Sequence, residues 1–366
     1  MIISILIVIV VLFSLTALIT LHELGHFLMA RRFDVKVEEF GIFLPPRLWG
    51  KKIGETIYSI NLLPLGGFVK LLGEEGGPSG DPRSFNAKSV GQRAWIIAAG
   101  VISFWIIAFL ILTFVFIIGS VTQVEDSDVV ANPQVQVIMV APKSPASAAG
   151  LQSGDVIESV ALKSGSAKPL ATDTVAAVQN FTSAHEGEQV AIEVLRAGKT
   201  VDLTVTPRVN PPAGEGPVGI ALVRVGKKSY PLLEAPWVAA QTTWQYTANV
   251  FVGWGTIIGS YIHHKGLPAG AQVVGPVGII SLMNQAAYRG VAYYLQLVAL
   301  ITVYLAVFNV LPIPALDGGK LLFLAIEAVR RKPVPINIEQ NITAVFMFIL
   351  IALMLVVTVG DIIHFF

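Results

Sequence analysis

From Ile2 to Leu21 no side chain carries a charge, and three later stretches read almost the same way: Ala94–Val121, Val291–Leu316 and Ile342–Ile363, the last interrupted by Asp361 alone. Extended through Ala30, the first run matches the others, and each exceeds the ~20 helical residues needed to cross a hydrocarbon core. These runs predict about four transmembrane helices. Trp237–Ile262 is also uncharged, but it holds Gln241, Thr242, Thr243, Gln245, Thr247 and Asn249 beside Trp237, Trp244 and Trp254. That mixture suits a helix lying in the membrane interface. A crossing there is the alternative. It would move Arg330–Lys332 outside, against the bias of basic loops toward the cytoplasm.

Elsewhere the pattern is that of strands. Thr56–Asn61 and Phe68–Leu72 flank the turn signal Pro64-Leu65-Gly66-Gly67 and predict a hairpin between the first two spans. After Val121 the composition changes. Val135–Val140, Gln189–Leu195 and Val201–Thr206 read as strands, with Gly198 and Lys199 turning between the last two. Pro207–Pro217 reads as a linker. The expected fold is an α-helical polytopic membrane protein with a membrane-associated β-hairpin and one inserted extramembrane β/α domain. Its parts are 1–121, 122–225, an interfacial helix region at 226–290, and 291–366.

Composition supports this reading. The chain is 54% hydrophobic and 13% charged, against about 25% charged for soluble domains. A net charge of +1 gives no sign of a nucleic-acid partner. The absence of cysteine excludes disulfides and thiolate metal sites. Arg31–Arg93 holds ten Lys and Arg residues, and Arg330, Arg331 and Lys332 follow the third run. Both loops are therefore expected in the cytoplasm, with both termini and the 122–290 region outside. No Lys or Arg precedes Arg31, so the first run is expected to be retained and not cleaved as a signal peptide.

Into that first run falls His22-Glu23-Leu24-Gly25-His26. Ionisable groups inside a membrane segment are costly and mark functional sites. Positions i and i+4 share a helix face, so His22 and His26 can turn two imidazoles toward one zinc ion. Glu23 lies about 100° around the helix. It can take a proton from water that the metal acidifies. A packing cluster is the bland alternative. Catalytic zinc needs a third protein ligand. His185 falls in a polar stretch, while His263, His264 and His364 sit at outer edges of apolar runs, so all four read as surface or interfacial. Asp361 is expected at the outer end of the last span, away from the zinc. Asp317, in Asn309-Val-Leu-Pro312-Ile-Pro314-Ala-Leu-Asp317-Gly318-Gly319, is expected at the depth of His26. Irregular backbone at membrane depth is tolerated where it is buried in protein or lines a cavity. Ligation by Asp317 is preferred to its alternative, an N-cap on a helix over Gly318–Val329.

The stretches at 22–26 and 309–319 together resemble the site-2 protease family of intramembrane zinc metalloproteases. The resemblance implies zinc held by His22, His26 and Asp317, with Glu23 as the base. Asn309 resembles a residue that contacts the substrate backbone; a hydrogen bond that steadies the broken helix is its other reading. Family members also use a membrane-dipping β element to extend substrates by strand addition. Ser144–Ile157 resembles the signature of bacterial PDZ domains. One such domain fits the length, whereas enterobacterial RseP-type members carry two in tandem, so a single-PDZ member of the RseP-like branch fits better. Gly275–Ile279 resembles a further element of that branch and reads from its residues as a turn that starts a helix.

The expected activity is zinc-dependent hydrolysis of peptide bonds within transmembrane segments of single-pass proteins, in a bacterial inner membrane. Anti-sigma factors or leftover signal peptides are the expected substrates, membrane lipid the surroundings, and peptide C-termini the ligands of the PDZ-like domain. The rival classes are a transporter with a buried polar cluster and a catalytically silent PDZ scaffold.

Overall fold

A computed structural model describes residues 2–74, 76, 80–164, 169–196, 198–212, 214–263 and 274–365. His264 and the side chain of His364 lie outside the described residues. Helix α1 spans Ile2–Arg32. It is apolar on every side, as a membrane helix is. Arg31 and Arg32 occupy its last turn, where cations suit the helix dipole. Strands β1 (Val37–Ile53) and β2 (Thr56–Leu71) follow, then α2 (Val90–Ile118).

The expected hairpin differs in its pairing. Thr56–Asn61 and Phe68–Leu71 belong to one bent strand, β2, and both pair with β1. Phe40 stands opposite both Tyr58 and Val69, so the start of β1 is inserted between the two halves of β2. Arg47–Ile53 pairs antiparallel with Thr56–Asn61 on the far side. The turn signal at Pro64–Gly67 marks the bend, where Gly66 has φ +137, a region open to glycine.

A second compact unit covers 114–235 with 288–293. It contains β3 (Ser120–Gln123), β4 (Ala131–Val140), α3 (Pro145–Ala149), β5 (Val156–Leu162), β6 (Leu170–Ala171), α4 (Val175–Ala184), β7 (Val190–Arg196), β8 (Lys199–Val205) and β9 (Ile220–Lys228). The sheet order is β3-β9-β4-β5-β7-β8, with β6 on β5. β3 and β9 pair antiparallel, Ser120 opposite Lys228. The core is alternate-residue: Val135 and Val137 on β4 and Val190, Ile192 and Val194 on β7 are fully buried, joined by Val178 of α4. Both helices begin on side-chain caps, Ser144 accepting from Ser147 N and Thr174 from Ala177 N.

The chain continues through α5 (Ala235–Ile262), α6 (Pro276–Arg289), α7 (Val291–Val310), α8 (Asp317–Arg330) and α9 (Ile336–Phe365). Among the described residues, four helices are long and apolar enough to cross a membrane: α1, α2, α7 and α9. α5 seats one face on α2 and α7, where Val250 packs with Ala108, Val303 and Val307. Trp105 Nε1 donates to Thr247 Oγ1 at 3.1 Å. The hydroxyls of Thr242, Thr243 and Thr247 donate to carbonyls one turn back, so these polar side chains are satisfied within their own helix. α6 packs Met283 beside Val11 and Phe104. Helix α7 stops at Val310, short of the expected Leu316, because Pro312 and Pro314 cannot continue it.

Candidate metal centre

α1 and α2 cross at glycine. A Cβ on Gly25 would stand 2.5 Å from Ala99 O, and one on Gly100 would stand 2.1 Å from His26 Nε2. The missing side chains let the imidazole lie flat in the crossing. His26 Nδ1 is 2.9 Å from Ile96 O. A carbonyl only accepts, so Nδ1 carries the proton and Nε2 presents its lone pair. The His22 ring stacks on Phe104, with centroids 4.4 Å apart.

The turn after α7 delivers the acid. Leu316 N donates to Ile313 O at 3.0 Å, and Asp317 becomes the first residue of α8. The cap position is Leu316, with no side-chain cap bond, so the carboxylate of Asp317 does not fill the N-cap role. It points at α1. Asp317 Oδ2 is 3.2 Å from His22 Nε2 and 3.3 Å from His26 Nε2. The two Nε2 atoms are 3.3 Å apart. Glu23 Oε1 stands 4.0 Å from His22 Nε2.

His22, His26 and Asp317 thus bring three atoms that could ligate a metal into one near-equilateral triangle. Asp317 Oδ2 is buried without a hydrogen-bond partner of good geometry, the condition a cation would relieve. Ligands about 2.0–2.1 Å from a tetrahedral zinc ion stand about 3.3 Å apart. The residues therefore fit zinc in type, burial and spacing. A cavity of about 430 Å³ adjoins them, lined by Glu23, His26, Val69, Asp317, Lys320 and Glu327 among others. The Lys320 ammonium bonds Glu74 at 2.6 Å, and Arg93 pairs with Glu327.

Asn309 lies at the end of α7, and its amide donates to Leu305 O at 2.9 Å. That bond belongs to the helix; among the described residues, none of its hydrogen bonds reaches the triangle. Asp361 is buried and accepts from Gly275 N at 3.1 Å and Gly278 N at 2.8 Å. It caps the start of α6, joining two parts of the chain that no spacing rule connects. Phe104 and the Ile96 carbonyl were equally invisible to motif reading.

Peptidase family M50 matches residues 10–353 of the chain. The chain belongs to this family, the site-2 proteases. A Clostridium perfringens protein named as a zinc metalloprotease is 35% identical over 97% of this chain and 98% of its own length. The zinc metalloprotease RasP of Geobacillus kaustophilus is 30% identical over 96% of each chain. Escherichia coli RseP, a regulator of sigma-E protease, is 30% identical over 93% of this chain and 95% of its own. This M50 protein is a metalloendopeptidase, which sets aside the transporter and scaffold readings.

Proposed function

We propose that this M50 protein is an intramembrane zinc endopeptidase in which His22, His26 and Asp317 hold the metal and Glu23 is the general base. The observation that carries the reading is the 3.2–3.3 Å triangle of lone pairs on α1 and α8. Zinc, when bound, would polarise the scissile carbonyl and acidify water. Glu23 takes the proton from the attacking water and returns it to the leaving amine. The burial of His22 and His26 keeps bulk water away and strengthens each charge interaction. The adjoining cavity, which Glu23, Lys320 and Glu327 line among apolar side chains, is the proposed route by which water reaches the site. Asn309 is proposed to meet the substrate backbone once the cleaved segment is in place.

The 122–225 region is assigned as a single PDZ-like domain that takes extended peptide C-termini by strand addition. A bacterial inner membrane is the proposed location, with both termini extracytoplasmic and the active site toward the cytoplasm. The RseP relative is named for sigma-E regulation, so a single-pass anti-sigma factor or a leftover signal peptide is the proposed substrate class.

Co-expression with candidate single-pass proteins tests this reading. A shortened fragment should form with the wild type and vanish with Glu23→Gln. Persistence of the fragment in that variant removes Glu23 from the base role.

A further inference from the structure

A main-chain atom of β2 reaches the proposed acid–base group, Glu23. The N–H of Val69 donates to Glu23 Oε2 at 3.1 Å, while Oε1 is the oxygen 4.0 Å from His22 Nε2. One carboxylate oxygen is tethered and the other faces the ligand triangle. The donor costs the sheet nothing. Val69 stands opposite Phe40, and antiparallel partners alternate between exchanging hydrogen bonds and not exchanging them. Leu72 N, three residues on, donates inward to Lys36 O at 3.0 Å, so Val69 N–H falls in the outward phase. That edge lies against α1, since a Cβ on Gly67 would stand 3.2 Å from Thr20 Oγ1.

We propose that the main-chain N–H of Val69 positions the base: by fixing Oε2 it turns Oε1 toward the metal position before substrate arrives. Val69 is then a positioning residue whose side chain is incidental. A substrate strand that added along this edge would compete with Glu23 for the same N–H, so productive pairing leaves Val69 to the carboxylate. The inference rests on the hydrolase reading above.

Two measurements test it. The first is made on zinc-free protein labelled with ¹⁵N-valine, with the Val69 signal identified by its loss in Val69→Ala. Glu23→Ala should move that amide proton upfield and remove its protection from exchange, whereas Glu23→Gln should preserve both, because its amide oxygen accepts. An amide indifferent to Glu23→Ala overturns the proposal. The second compares Val69→Pro with Val69→Ala. Proline is tolerated where an edge N–H points out of the ladder, so the ratio of the two isolates the N–H from the side chain. Val69→Pro should keep one zinc per chain, hold KM, and lose kcat roughly tenfold or more relative to Val69→Ala. Equal kcat overturns the positioning role. If Val69→Pro does not fold, the amide signal decides alone. Zinc stoichiometry separates the two layers: a wild type that binds no zinc sinks the hydrolase reading, while a zinc-loaded Val69→Pro with undiminished kcat sinks only the anchor.

Discussion

Asp317 Oδ2 lies within 3.3 Å of both imidazoles, and removing it leaves two nitrogens where zinc requires three ligands. Asp317→Ala and His22→Ala are each expected to purify with far less than one zinc per chain, measured by atomic emission. Full zinc in either variant would end the three-ligand reading. The meeting of His22, His26 and Asp317 was legible in the sequence because two histidines at helical spacing, and one acid set among prolines and glycines, leave few other partners. The surroundings were not. Ile96 contributes a carbonyl, Val69 an N–H and Phe104 a ring face. Any residue offers the first two, so no residue type announces them.

At the level of helices and strands, the crossing of α1 on α2 is set by Gly25 and Gly100. Gly100→Ala puts a methyl 2.1 Å from His26 Nε2, so the ring must move. This variant should lose zinc affinity at least tenfold while α1 and α2 remain helical, read by chelator competition and circular dichroism. Asp361 joins α9 to the first turn of α6. Asp361→Ala strands two buried N–H groups and should destabilise the fold by about 1–3 kcal/mol; Asp361→Asn, which keeps an acceptor, should lose less. Denaturant titration in detergent distinguishes them. The apolar runs disclosed α1, α2 and α9 to within a few residues, since lipid demands continuous helix. β1 escaped notice because Val37–Ile53 mixes charges, glycine and two prolines without alternation. Its pairing comes from the two halves of β2 and not from a local pattern.

At the scale of the whole molecule, the two units have separate cores. Anything that binds only the folded centre stabilises the part that contains it. Chelation should therefore raise hydrogen exchange around 18–30 and 312–320 and leave 131–228 unchanged. A uniform rise would show the metal acting on the entire chain. Orientation can be tested directly, since the chain has no native cysteine. Lys52→Cys and Lys332→Cys should each react with an impermeant thiol reagent only from the cytoplasmic face. The rule of basic loops is what puts both positions on that side. The seating of α5 on α2 and α7 was not legible in Trp237–Ile262, because threonines that bond within their own helix look polar in a sequence.

The pairing of Ser120 with Lys228 means that the excursion into the second unit leaves and returns at neighbouring points. Such an inserted cassette can be lengthened, duplicated or exchanged during descent without altering any separation in the remaining framework. Lineages sharing one hydrolytic apparatus are thus free to differ in the unit inserted along the chain between its helices.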